Sequence, residues 1–460
     1  MGFAVARPDA PSNVRASNEV RLQLTAMKTR FVLALAPGWS ERAHLSFVCL
    51  VLSVFLLFPP AVRAQGGDQE ELERELSRAL AVEAPPPRAS LLPDISVVGT
   101  FAAAWFSGEP TPRLAAHEPF HDGPQLQEIE LGFRSNVDPF VRADVFLAVS
   151  LEGIEVEEAY VTTLAFPADL RLRGGEMYAP FGRVNQVHYL EATPFADLPL
   201  VNRRFFGGEQ LRGLGLEVSY LLPLPFYAEI VGAALSAGNE VSFGIPATEI
   251  ETPRDLLGVA RLATAFDLGD RLTLLLGASY ANGPNASGGL EGARAHRTQI
   301  WGADFTLRLR DAASRAHTAL QAEWMTRRAE VPGGGFLQGG AYVWLVRRFD
   351  ARWEAAIRGD ILGLPSGRAF GDPHLGEEEV FLFAEAIHAH EHDHAHAETG
   401  EFLRPLRQRR LGASLSFYPS EFQRLRLQAN YDFLPGEGRG IWEAFFQYQF
   451  VIGSHGAHAF

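Results

Sequence analysis

Cysteine and lysine are almost absent from this chain. Of its 460 residues one is cysteine, Cys49, and one is lysine, Lys28, both within the first 64. Everything after residue 64 can therefore form no disulfide framework and offers no thiolate to a metal or a substrate. Every basic group there is an arginine. Long apolar runs are missing too. The longest, over residues 45–58, falls short of the roughly 20 residues that a membrane-spanning helix needs. Positive charge is scarce: the formal net charge is -14, and seven of the 41 basic but only three of the 55 acidic groups fall in the first 64 residues, leaving 34 against 52. That balance excludes a nucleic-acid partner. A membrane protein without spanning helices is left with one architecture, a closed barrel.

The start of the chain reads as a leader. Arg42 precedes the apolar run, Pro59 to Ala64 follow it, and the small residues Val62 and Ala64 set a cleavage point before Gln65. Met27-Lys28 reads as an alternative start. Residues 1–64 are thus expected to be an N-terminal extension and signal peptide. Residues 65–92 are expected to form a periplasmic helix and a proline-rich linker. Leu72, Leu76 and Leu80 recur at helical spacing among Glu70, Glu71, Glu73 and Arg74, and Pro85-Pro86-Pro87 ends the run. Such a helix either pairs with a copy of itself or stays solvated on its own.

From residue 93 to 460 the pattern changes to a period of two. Leu411, Ala413, Leu415 and Phe417 alternate with Arg410, Gly412, Ser414 and Ser416. Leu425, Leu427, Ala429, Tyr431 and Phe433 alternate with Arg424, Arg426, Gln428, Asn430 and Asp432, and Trp442, Ala444, Phe446, Tyr448 and Phe450 with Glu443, Gln447 and Gln449. Such alternation argues for strands with one apolar and one polar face. Counted along the chain, about 16 such segments appear, which points to an all-β fold: a transmembrane antiparallel β-barrel. Connections alternate between tight turns and long loops, as in bacterial barrels, with two short outward exceptions around Gly153 and Pro435–Gly438. The terminal Phe460 resembles the aromatic signal by which such barrels address the barrel-assembly machinery.

The faces describe the lumen. Trp301, Ala303, Phe305, Leu307 and Leu309 are expected to meet outer-membrane lipid, with Asp304, Thr306, Arg308 and Arg310 facing inward. Trp353 and Ile357 likewise oppose Arg352, Glu354, Arg358 and Asp360. Near residues 154–165 the faces do not resolve, because Glu155, Glu157 and Glu158 break the alternation. A barrel of around 16 strands leaves an aqueous channel. An interior holding both signs of charge is either water-filled or cross-braced by ion pairs.

Two stretches, Pro93-Asp94-Ile95-Ser96-Val97-Val98-Gly99 and Ala179-Pro180-Phe181-Gly182-Arg183-Val184-Asn185, resemble the phosphate-selective porin superfamily, as do the leading polar helix and the strand plan. The resemblance implies a passive, homotrimeric channel whose third long loop folds into the lumen as a constriction. It makes Arg171, Arg173, Arg183, Arg203, Arg204 and Arg212 candidate pore-lining cations, beside Asp304, Arg308, Arg310, Glu354, Arg358, Arg424 and Arg426 on the wall. Phosphate-selective members use a lysine cluster, which this chain lacks. With Glu176, Glu191, Asp197 and Glu209 in the same region, the ion preference stays open.

His388, His390, His392, His394 and His396 recur at every second position, interleaved with Glu391 and Asp393, in the longest outward loop. The composition fits loose zinc binding. It resembles the histidine-rich barrels associated with zinc-responsive receptors, so a metal-associated receptor or uptake protein is the alternative to a plain porin. His117 and His121 in the first long loop are possible contributors, whereas His455 and His458 belong to the opposite side. No cofactor is required by the channel reading. No serine–histidine spacing points to an enzyme, and residues 65–92 leave no room for the globular plug of an energy-coupled receptor.

Overall fold

The computed structural model describes residues 93–108, 117–151, 153–167, 170–236, 238, 241–245, 247–285, 296–311, 316–331, 334–363, 368–371, 407–433 and 440–453. The expected leader and periplasmic helix over 1–92, the histidine segment 388–396 and Phe460 lie outside the described residues.

The strands are β1 (Asp94–Phe106), β2 (Gly123–Asn136), β3 (Val141–Val149), β4 (Ile154–Thr163), β5 (Leu170–Tyr178), β6 (Arg212–Leu221), β7 (Tyr227–Ser236), β8 (Leu257–Asp267), β9 (Leu272–Pro284), β10 (Arg297–Arg310), β11 (His317–Val331), β12 (Gly334–Arg348), β13 (Trp353–Leu362), β14 (Arg368–Gly371), β15 (Arg409–Ser420), β16 (Gln423–Phe433) and β17 (Ile441–Gly453). All belong to one 17-stranded sheet. Sequential strands pair antiparallel, and β1 pairs with β17 from Ser96–Gly453 to Phe106–Glu443, which closes the ring. The short β14 pairs only with the beginning of β12, and β13 pairs directly with β15. The closed wall therefore has sixteen strands, in the expected order. Among the described residues no helix is long and apolar enough to cross a membrane.

One hairpin is longer than the alternation suggests. Residues 328–340 read as a connection, but β11 and β12 stay paired to Val331–Gly334. Gly334, Gly335, Gly339 and Gly340 have no side chains to alternate, so the sequence pattern fades where the backbone ladder continues.

The outer surface carries an apolar belt. Ile154, Leu216, Leu427 and Ile452 are each 58% or more exposed. Aromatic pairs mark both rims. Tyr280–Trp301 and Tyr431–Trp442 (centroids 5.6 and 4.7 Å) lie toward the long loops, and Trp353–Phe417 and Phe226–Phe266 (4.6 and 4.8 Å) toward the tight turns. An apolar band between aromatic girdles is what a lipid bilayer selects.

The largest apolar core lies inside this ring. The connection between β5 and β6, residues 179–211, brings Phe181, Phe195, Leu198, Val201, Phe205 and Phe206 into a buried cluster with Leu235, Ile300, Met325, Tyr342 and Trp344 of the wall. Its two helices, α1 (Tyr189–Ala192) and α2 (Leu200–Phe206), are short. Pro199 caps the start of α2, and Gly207, at φ +77°, ends it in the left-handed region that glycine enters without strain. Two wall glycines make room for the segment. A Cβ on Gly302 would stand 2.7 Å from Phe181, and one on Gly340 would stand 2.9 Å from Val201.

Candidate functional site in the barrel lumen

The inward segment is tied down on several sides, mostly by wall arginines. Asp197 is the hub. Its carboxylate accepts from Arg358 Nη2 (2.7 Å), Arg410 Nη1, Gln428 Nε2 and Asn430 Nδ2 (3.4 Å). Arg358 also donates to Asp360 (2.8 Å), which accepts from the Leu200 amide (3.0 Å). Arg410 in turn holds Asp432. Arg424 donates to the carbonyls of Leu190 and Glu191, and Arg426 to that of Thr193 (2.5 Å). On β11, two strands from β13, Glu323 accepts from the amides of Arg183 and Val184, while Arg327 reaches the Arg204 carbonyl (3.4 Å) and, outside the segment, the Val241 carbonyl (2.6 Å) and Ser242. Glu118, in the first loop, accepts from the Leu198 amide and from Arg203 Nη1, both at 2.7 Å. The neck is closed by Asn185, whose side chain donates to the carbonyls of Ala179 and Leu211 (3.0 and 2.9 Å) and accepts from the Leu211 amide (2.6 Å).

The candidate lining residues singled out in the sequence fall into four groups. Arg358, Arg424, Arg426 and Arg203 are buried and hold the inward segment. Arg173 forks onto Glu217 (2.8 and 2.6 Å), Arg212 meets Glu155 and Glu209, and Asp304 accepts from Arg261 (2.7 and 3.0 Å), all as braces along the wall. Arg171 pairs with Glu229 (3.1 Å) while half-exposed, Glu354 faces Arg348 (3.7 Å), and Arg308 and Arg310 stand near the tight-turn rim. Arg183 and Arg204 are half-buried on the segment itself, contributing a backbone amide and a carbonyl respectively.

A second cluster has no precursor in the sequence reading. His188, from the inward segment, stands with Nδ1 2.8 Å from Glu130 and 3.2 Å from Glu157, and with Nε2 3.2 Å from Glu158. His117 from the first loop stands with Nδ1 3.4 Å from Glu128 and Nε2 3.5 Å from Glu209. Two β-bulges build this wall. The β1–β2 register slips between Thr100 and Phe101, leaving Gln127 unmatched, so that Gln127 and Glu128 are both buried. The β3–β4 register slips between Phe146 and Leu147, leaving Glu157 unmatched, so that Glu157 and Glu158 are both buried. A bulge re-aims a side chain that the pleat would send to the other face. That is why the alternation broke at Glu157-Glu158. His117, expected at an outer metal-collecting loop, is buried in this cluster instead, whereas His121 is exposed.

Burial alone would push both imidazoles toward the neutral form, but the carboxylates outweigh it. The hydrogen bond to Glu209 and the charges of Glu128, Glu209 and Glu157 raise His117 from 6.5 to about 10, and Glu130, Tyr178 and Glu157 raise His188 well above its ordinary value. A histidine whose pKa is raised on folding lends stability that is full below pH 6.5 and is lost as the pH climbs through its folded value. Barrel stability against urea is therefore expected to fall between pH 6.5 and about 10. The substitution His117→Gln should flatten that decline; an equally steep fall in the variant would remove His117 as its source.

Closed, even-stranded and belted with apolar side chains, the protein is a β-barrel of the bacterial outer membrane. No family model matches its sequence. The chain belongs to the same family as an uncharacterized protein of Aquifex aeolicus (strain VF5), 30% identical over 363 residues that cover 74% of this chain and 70% of that protein. Similar solved structures include the outer membrane channel DcaP of Acinetobacter baumannii (TM-score 0.49, 11% identity, 78% of this chain and 97% of that one). They also include the trimer form of OmpT, an outer membrane protein of Vibrio cholerae (0.48, 8%, 78% and 99%), and the anion-selective porin from Comamonas acidovorans (0.46, 8%, 78% and 99%).

Proposed function

We propose that the protein is a constricted, passive channel of the outer membrane for small hydrophilic solutes or ions. The inward segment 179–211 sets its aperture. The observation that carries this reading is the fixing of that segment across the lumen, by Arg358, Arg410, Arg424 and Arg426 on β13, β15 and β16 and Glu323 and Arg327 on β11, and on the far arc by Glu130, Glu157 and Glu158 of β2 and β4 through His188. A ring of sixteen strands would otherwise leave a wide aqueous channel. A wall lined with paired charges suits water and ions, and it suits apolar solutes poorly. The homotrimer implied by the family resemblance belongs to the same proposal, and chemical cross-linking in native outer membranes reads it.

Single-channel recording of the purified protein in a planar bilayer, under a salt gradient, tests the channel itself. Small stepwise openings with a reversal potential are expected, and the sign of that potential gives the ion preference that the arginines and glutamates share between them. A bilayer that stays silent at protein loads that open a known porin would overturn the reading and leave a closed, braced barrel.

A further inference from the structure

The glutamate–histidine cluster is built for more than ion pairing. We propose that Glu130, Glu157 and His188 bind one divalent transition-metal ion within the lumen wall. Their ligand atoms all lie within 4.8 Å of one another, each residue offering one donor. Metal–ligand bonds of about 2.0–2.2 Å in tetrahedral geometry put donors about 3.3–3.6 Å apart. His188 Nδ1 already stands 2.8 Å from Glu130 Oε2 and 3.2 Å from Glu157 Oε2, so a small outward relaxation seats the ion.

Four further observations point the same way. A cavity of about 10 Å³ lies at the cluster, lined by Glu128, Glu130, Glu157, Tyr178, His188 and Glu191 among others; that is about the room one water or one ion needs. Glu157 is 4% exposed, and its Oε2 meets no donor in hydrogen-bonding geometry, while Tyr178 O–H donates to its Oε1 at 3.2 Å. The second ring nitrogen of His188 faces Glu158 Oε2 at 3.2 Å. That pairing is the outer-shell carboxylate that orients a ligating imidazole and fixes its tautomer. Glu158 is itself held by the Tyr178 amide at 3.0 Å.

Charge supplies the reason for a cation. Glu128, Glu130, Glu157 and Glu158 are buried around two imidazoles, and unbalanced carboxylates are costly away from water. An imidazole–carboxylate donor set suits zinc, manganese or ferrous iron and disfavours calcium and magnesium, which take oxygen alone. The β3–β4 bulge matters here, because without it Glu157 would lie off the inward face.

The test uses the full chain with His388, His390, His392, His394 and His396 replaced by serine, so that the histidine-rich segment contributes nothing. The protein is unfolded with chelator and refolded with cobalt(II) as the probe. Bound metal is counted by mass spectrometry, and coordination is read from the visible cobalt absorption. One equivalent per chain and a ligand-field band are expected. His188→Gln should abolish both. Glu158→Gln should weaken cobalt binding at least tenfold, the usual effect of losing an outer-shell partner. Heat-modifiable gel migration shows whether each variant is folded, and the Glu158→Gln reading stands if His188→Gln does not fold. No bound cobalt, or binding indifferent to both substitutions, would overturn the proposal and leave a cluster that holds protons alone. Neither outcome depends on whether the barrel conducts.

Discussion

Excision of residues 189–206, with a short Gly/Ser linker in their place, is expected to raise single-channel conductance several-fold and to leave the barrel folded. The wall does not need the segment to pair: β5 and β6 are bonded along their whole length, from Leu170–Tyr220 to Tyr178–Arg212. The neck also survives, because Asn185 and its bonds to Ala179 and Leu211 lie outside the excision. Arg358, Arg410, Arg424 and Arg426 would lose their partners on the segment, yet water would enter with the loss. Hydrated arginines on a wide lumen cost little compared with arginines stranded in a dry one. What disappears is the apolar plug of Phe195, Leu198, Val201, Phe205 and Phe206. Conductance follows the open cross-section, so an unchanged value in a folded variant would show that the segment is not the constriction.

A single substitution, Asp197→Ala, should be worse for stability than removing the whole segment. Asp197 is 1% exposed and receives Arg358, Arg410, Gln428 and Asn430 together. Truncating it removes the carboxylate that two fully buried guanidinium groups share, while Arg358 keeps Asp360, Arg410 keeps Asp432 and the segment still excludes water. Removing one partner of a buried pair costs about 3–5 kcal/mol where the charge is left uncompensated, and the retained Asp360 and Asp432 put the expected loss at the low end of that range. The exposed pair Arg171–Glu229 is the control: an interaction of that kind is worth about 0–1 kcal/mol, so Glu229→Gln should leave the urea midpoint nearly unmoved. The Asp197→Ala channel should also be noisier, as the segment loses its central anchor. Equal midpoints for the two variants would mean that Asp197 is not the hub its contacts describe.

Much of this protein can be read along one dimension. Because successive side chains on a strand point to opposite faces, the alternation around Arg410, Arg424, Arg426 and Asp432 already separates lipid from lumen, and each of these residues is buried inside the ring. Tight and long connections alternate for an equally local reason: each strand must return across the membrane. The sixteen wall strands and the inward face of Asp304, Arg358 and Asp360 follow from residues close together in the chain.

The tertiary structure decided how those inward residues are used. Arg410 meets Asp197 213 positions away, and Arg424 reaches the Leu190 carbonyl across 234. No periodicity carries information over such distances, since those contacts exist only once the ring closes and the segment turns into it. The glutamate–histidine cluster was hidden for a different reason. Glu157 joins Glu158 on the inward face only because it is an extra residue in its strand, as Gln127 is beside Glu128. In a pattern of period two an extra residue registers as a fault rather than as a site. Which face a side chain takes is a property of the pleat, whereas its partner is set by closure, bulges and the returning loop.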